Sequence, residues 1–194
     1  MSSACFETKM TSRDRTAVSL FADQFVMDGG SVPFRYSADK ARLEMCILHH
    51  TIKNEWRLPK GRKDRGESIE DAAMRESFEE TGYPCKLFPV DQRTRATIPG
   101  VDSKEASKFE EKSKEPIAVT IRQRTEKGKM IIIWWYVSTV DDGVVRQSGT
   151  QTATESFESA FFEAEVAIEK LTFAEEASVA RKALELIKAT RAKK

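Results

Sequence analysis

The stretch Gly61–Tyr83, GRKDRGESIEDAAMRESFEETGY, decides how this 194-residue chain is read. Its centre carries helix punctuation. Ser68 suits an N-cap, Asp71 three residues on makes a capping-box-like start, and Gly82 followed by Pro84 ends the segment. A helix over Ser68–Thr81 stacks Glu76 and Glu80, four apart, on one face, with Glu79 flanking them. Like charges at i,i+4 cost a helix roughly 0.2–0.5 kcal/mol per pair, and carboxylates held together push one pKa up. A divalent cation removes both penalties, and hard oxygen clusters suit Mg2+ or Mn2+. Met74 and Phe78 are expected to point the other way and be buried. The small Ala72 and Ala73 are expected nearer the acidic side, where bulk would crowd a ligand. On helix geometry alone, an ordinary solvated acidic face accounts for the same residues.

The full spacing separates the two readings. Gly61 is followed after five residues by Glu67, after seven more by Arg75-Glu76, and then by Glu79-Glu80 and Gly82. This resembles the Nudix box, G-x5-E-x7-R-E-U-x-E-E-x-G-U, where U is bulky and apolar. Two positions depart from it. Ser77 stands where U is usual, with Phe78 beside it to supply packing, and Lys60 stands where many members have a second glycine. The resemblance implies an α/β fold, an α/β/α sandwich with a mixed sheet, the box as loop, helix and loop, and a C-terminal helix. It implies that Glu76, Glu79 and Glu80 hold Mg2+ or Mn2+, joined by the backbone carbonyl of Lys60. It makes Glu79 or Glu80 the group that orients or deprotonates the attacking water. Glu67 and Arg75 would tie loop to helix as an ion pair, with Gly61 and Gly82 as structural glycines. The implied reaction is a pyrophosphohydrolysis: water attacks phosphorus in line and a phosphate group leaves. No Ser-His-Asp or Cys-His arrangement suggests a covalent intermediate; His49 and His50, the only histidines, are read as structural or surface residues.

Outside the box the chain reads as strands closed by a helix. Ser31–Tyr36 is expected as a strand that Pro33 confines to an edge or a strand end. Leu43–His50 suits a buried strand, Pro59–Gly61 a turn, and Cys85–Val90 a short strand. Ile117–Arg124 and Met130–Val140 suit a hairpin around Thr125–Lys129. Phe157–Glu163 is expected as a strand and Phe173–Ala189 as a helix. Trp134 and Trp135 are adjacent on one strand and must face opposite sides. Strands interrupted by one helix and closed by another suggest layered α/β architecture. Residues 1–22 are polar and expected to form a flexible arm. Residues 23–191 form the domain, and 91–115 is a long polar insertion loop, functional or disordered.

Composition narrows the classes. Forty per cent apolar and 32% charged residues fit a globular chain, and a net charge of +1 argues against a dedicated, strongly basic binder of nucleic acid or membrane. No apolar run approaches the roughly 20 residues that span a bilayer, and no secretory h-region is seen at the N-terminus. Cys5, Cys46 and Cys85 are odd in number and far apart, which suits free thiols in a reducing compartment. The expectation is a cytoplasmic protein, with the nucleus as a further location.

Charge position points to the substrate. Arg57–Arg65 (RLPKGRKDR) holds five basic residues against one acid, directly before the acidic helix. Lys60, Arg62, Lys63 and Arg65 are candidate phosphate contacts, to which Arg35, Arg122, Arg124, Lys127 and Lys129 would add. This density suits a small polyphosphorylated substrate, and the chain looks most like members acting on diphosphoinositol polyphosphates or diadenosine polyphosphates. The alternative enzyme reading is removal of an RNA 5′ cap, with capped RNA as partner and one tryptophan stacking on a base. A reading of another class is an inactive Nudix-like binding module, against which the complete set of box glutamates argues.

Overall fold

The computed structural model describes residues 17–39, 41–101, 107–124, 129–151 and 157–192, without the side chains of Arg124 and Lys129. The elements are β1 (Phe25–Tyr36), β2 (Leu43–His50), β3 (Glu55–Arg57), β4 (Lys60–Arg62), α1 (Ile69–Thr81), β5 (Cys85–Leu87), β6 (Val90–Thr94) and β7 (Lys108–Ser113). They continue with β8 (Ala118–Arg124), β9 (Lys129–Val140), β10 (Phe157–Glu163), α2 (Ala164–Lys170) and α3 (Ala174–Ala192).

Eight strands form one sheet in the order β10-β2-β1-β9-β5, with β3 on β2, β4 on β1 and β8 on β9. β1 and β9 run parallel and the other pairs antiparallel, so the sheet is mixed. Alternate residues of β1 face opposite layers. Gly29 and Ser31 face α1. Val32 and Phe34 enter the apolar core with Ile47, Ile133, Trp135 and the α3 residues Ala180, Ala183 and Ile187. Helices therefore cover both faces, and the fold is an α/β/α sandwich.

Several local expectations are corrected. Pro33 lies in a central strand, not at an edge. It is accommodated because the antiparallel partner of β1 changes from β4, at Asp28–Gly30, to β2, at Phe34–Tyr36, and Pro33 falls in the gap. In place of the expected turn at Pro59–Gly61, Lys60 and Gly61 open β4 and pair with β1. The segment 91–115 is not without structure: β6 and β7 pair in a second, two-stranded sheet, which Thr190 ties to α3 by accepting from Asp91 N (2.8 Å). The seven-residue α2 was not anticipated. The expected arm lies largely outside the described residues, as do Cys5 and the hairpin connection 125–128. Cys46 and Cys85 are free thiols.

The orientation of α1 is also corrected. Its buried residues are Ala72, Ala73, Glu76, Ser77, Glu80 and Thr81, while Met74 and Phe78 are only half-buried. The cause is Gly29. A Cβ there would lie 2.6 Å from both Ala73 N and Ile69 O, so the helix backbone rests almost directly on the strand. Only small side chains fit between layers that close.

Candidate active site

The acidic helix is fixed at both ends. Ser68 Oγ accepts from Asp71 N (3.1 Å), and Gly82, at φ 78°, donates its N–H to Phe78 O (2.7 Å). Its last carbonyls are met from far along the chain. Thr150 Oγ1 donates to Glu79 O, Gln151 Nε2 to Glu80 O (both 2.8 Å), and Ser159 Oγ to Thr81 O (2.7 Å). These partners stand about 70 residues away, and no periodic or local signal marks them.

Arg75 organises the outer side of the box. Its Nε and Nη2 reach the two carboxylate oxygens of Glu67 at 2.9 and 3.0 Å, and Nη2 also donates to Arg62 O (2.9 Å). Its Nη1 donates to Glu76 Oε1 (2.8 Å) and Glu79 Oε2 (3.1 Å). The Arg75 hydrogen bonds hold the Glu67 carboxyl below its ordinary pKa, and the Glu67 and Glu76 carboxylates push the guanidinium pKa upward.

The three candidate metal carboxylates differ in environment. Glu76 and Glu80 are buried, whereas 37% of the Glu79 side chain is exposed. Glu80 Oε2 accepts the backbone N–H of Lys60 (2.7 Å). Glu76 lies over Gly61, where a Cβ would fall 2.0 Å from its Oε2. Two buried carboxylates thus meet the backbone of β4 at a point that only glycine leaves open. Among the described residues, no three His, Cys, Asp or Glu groups are grouped to hold an ion in this arrangement. Glu79 is instead turned onto Arg75, one helical turn behind it. The donors that remain, hard oxygens beside a glycine cradle, fit a divalent cation.

The basic residues are dispersed. Lys60 is half-buried, Arg62 and Arg65 are exposed, and Lys63 Nζ donates to Asp64 O (2.8 Å). Arg35 is not brought to the box. It lies near the far end of β1, bonded to Glu44 (2.8 Å) and stacked on Phe161 (3.6 Å). Arg122 is committed to Glu175 (2.9 Å) and Glu176 (2.8 Å). Fully buried Glu176 also accepts from Leu58 N (2.8 Å), which braces α3 against the segment leading into β4. The side chains of Arg124 and Lys129, and all of Lys127, lie outside the described residues. His49 stacks on Trp56 and His50 meets Phe157 edge-on. Trp135 is buried and donates to Thr120 Oγ1 (2.9 Å), while Trp134 is half-buried.

One acid near the site was missed. Asp28, on β1 opposite Arg62, is buried, and burial raises its pKa against the opposing pull of Lys60, Arg62 and Arg122. A lone carboxylate just ahead of Gly29-Gly30 was the available signal.

Comparison with known proteins places this geometry. An 8-oxo-(d)GTP phosphatase of Mycolicibacterium smegmatis is 36% identical over 63 residues, 28% of this chain and 20% of that protein. A putative 8-oxo-dGTP diphosphatase of Bacillus subtilis is 62% identical over 32 residues, 16% of this chain and 22% of that protein. The chain thus spans about a fifth of the length of these curated relatives. Among solved structures, an Ap4A hydrolase of C. elegans in a binary complex aligns with a TM-score of 0.58 at 21% identity, covering 87% of this chain and 99% of that one. At this identity the likeness is one of fold. The model of the NUDIX domain matches residues 39–182, most of the chain and all of the box, and the chain belongs to that family.

Proposed function

We propose that this chain is a pyrophosphohydrolase that cleaves a phosphoanhydride in a small polyphosphorylated molecule, with Mg2+ or Mn2+ as cofactor. The observation that carries this reading is the pair of buried carboxylates, Glu76 and Glu80, set against the backbone of Lys60-Gly61. Carboxylates four apart on one helix face repel each other, Arg75 offsets part of that repulsion at Glu76, and a divalent cation would offset more of it. Glu76, Glu80 and the Lys60 carbonyl would hold the cation, which supplies charge neutralisation at the diphosphate and a more acidic water. Glu79, the most exposed of the three, would orient the attacking water and take its proton. Lys60, Arg62, Lys63 and Arg65 would draw the phosphate chain to the box, with Arg124 and Lys129 beyond it. Arg75 would hold the loop and helix together through Glu67 while the substrate binds.

A diadenosine or other nucleoside polyphosphate is the first substrate to try, because the bacterial relatives are named for nucleotide substrates. Diphosphoinositol polyphosphates are the second, on the strength of the basic loop. A phosphate-release panel tests the reading with nucleoside polyphosphates, diadenosine polyphosphate, diphosphoinositol polyphosphate and capped RNA. Turnover should require Mg2+ or Mn2+, and Glu79→Gln and Glu80→Gln should each lower kcat by about 100-fold or more. Wild-type rates in both variants would overturn the site.

A further inference from the structure

Both halves of the site are registered on β1, and Ser31 holds both. Its backbone N–H donates to Pro59 O (3.2 Å), the carbonyl immediately before Lys60. The adjoining pairs Gly30–Lys60 and Gly29–Gly61 continue that ladder into β4. The Ser31 hydroxyl, fully buried, lies 2.6 Å from Ser77 Oγ on α1 and 2.7 Å from Ser138 Oγ on β9.

The direction of these bonds follows from counting protons. Ser77 Oγ donates to Ala73 O (2.6 Å), and each hydroxyl has one proton. Ser31 must therefore donate to Ser77, and Ser138 to Ser31. The result is a directed chain from β9 through β1 into the helix. Ser77 is fully buried, next to Glu76 and three residues before Glu80.

The contact that this chain crosses is otherwise flat. Gly29 meets Ala73 and Ile69 O with no side chain between them. Ridges packed into grooves fix the register of most helices, but two small-residue surfaces offer little resistance to sliding. A buried hydroxyl is directional, and a shift of the helix would break the Ser31–Ser77 bond, the one that crosses from strand to helix, while Ser77 kept Ala73 O and Ser31 kept Ser138. At the position where the family usually carries a bulky apolar residue, this chain has a hydroxyl bonded to the strand that also carries β4.

We infer that Ser31 is a positioning residue for the reaction: through Ser77 it sets where Glu76 and Glu80 stand over Lys60-Gly61, and cation affinity and turnover depend on that link. The inference rests on the cation-dependent hydrolysis proposed above.

The test uses the full chain and Mn2+ alone, titrated calorimetrically into wild type and the variants Ser31→Ala, Ser77→Ala and Ser138→Ala. Melting curves and steady-state kinetics accompany the titrations. Ser31→Ala and Ser77→Ala should each weaken Mn2+ binding about tenfold, the size typical of a lost partner behind a metal ligand. They should lower kcat to a similar degree, with KM within about twofold. Ser138→Ala keeps the Ser31–Ser77 link and should stay within about twofold in both readouts. If Ser31→Ala does not fold, Ser77→Ala carries the same decision. Unchanged Mn2+ affinity and kcat in the variants that break the link overturn the inference, as does an equal loss in Ser138→Ala, which would mark general packing. A wild-type chain that binds no Mn2+ overturns the proposed function and this inference with it.

Discussion

The two faces of the sheet are built on different principles. The face under α3 is apolar and interlocked: Val32, Phe34, Ile133 and Trp135 meet Ala180, Ala183, Leu184 and Ile187. The face under α1 is small and hydroxyl-bearing, with Gly29 and Ser31 against Ala73 and Ser77. The first removes apolar area from water, at roughly 25 cal/mol per Å². The second buries little apolar area and instead brings a helix backbone close to a strand, with directional bonds between them. Stability and placement are thus divided between the faces, and the carboxylates stand on the placement side.

The sharpest way to break this division is a change on each face. Ile187→Ala, at a fully buried position, should cost about 2–5 kcal/mol. It should leave kcat unaltered when measured well below the melting temperature. Gly29→Ala should cost about 1–3 kcal/mol, because its Cβ meets backbone atoms that cannot swing aside. Unlike the first change, it should also lower kcat by displacing α1. Thermal melts paired with kinetics decide between the two descriptions. A loss of kcat in Ile187→Ala at intact fold, or full activity in Gly29→Ala, would show that the faces share their work.

Legibility in the sequence followed how local each feature is. The helix over the box could be bounded because Ser68 and Gly82 act on their own neighbours. The start of β1 was missed because Asp28-Gly29-Gly30 has poor strand propensity and is held by β4 and β9 on either side. The pair β6 and β7 was hidden because most of β7 faces water with charged side chains and shows no apolar alternation. The box spacing picks out Glu76, Glu79 and Glu80 on one helix, but not that Glu79 turns onto Arg75, which depends on rotamers. Nor could it show that Thr150 and Gln151 cap the same helix, or that Glu176 is buried in a brace. Those are long-range contacts, and a single sequence carries no periodic trace of them.

The smallest expected effect concerns the outer edge of α1, where Arg75 grips Glu67. The carboxyl of Glu67 is held below its ordinary pKa by the Arg75 guanidinium. A group with a depressed folded pKa contributes stability that is fully present above its unfolded value, about 4.3 for glutamate, and is lost as pH falls through the folded value. Glu67→Gln should therefore cost about 1 kcal/mol or less at neutral pH, the range of a partly exposed pair. It should also flatten the fall of melting temperature between about pH 5 and pH 3. Melting curves at stepped pH for wild type and variant measure the difference. Because neither Glu67 nor Arg75 bonds Gly29, Ser31 or Ser77, the loss of this pair should leave those three in register. Mn2+ affinity at neutral pH should then fall less than in Gly29→Ala. If Glu67→Gln weakened the cation site as much as Gly29→Ala did, the loop and not the strand would be what places the carboxylates.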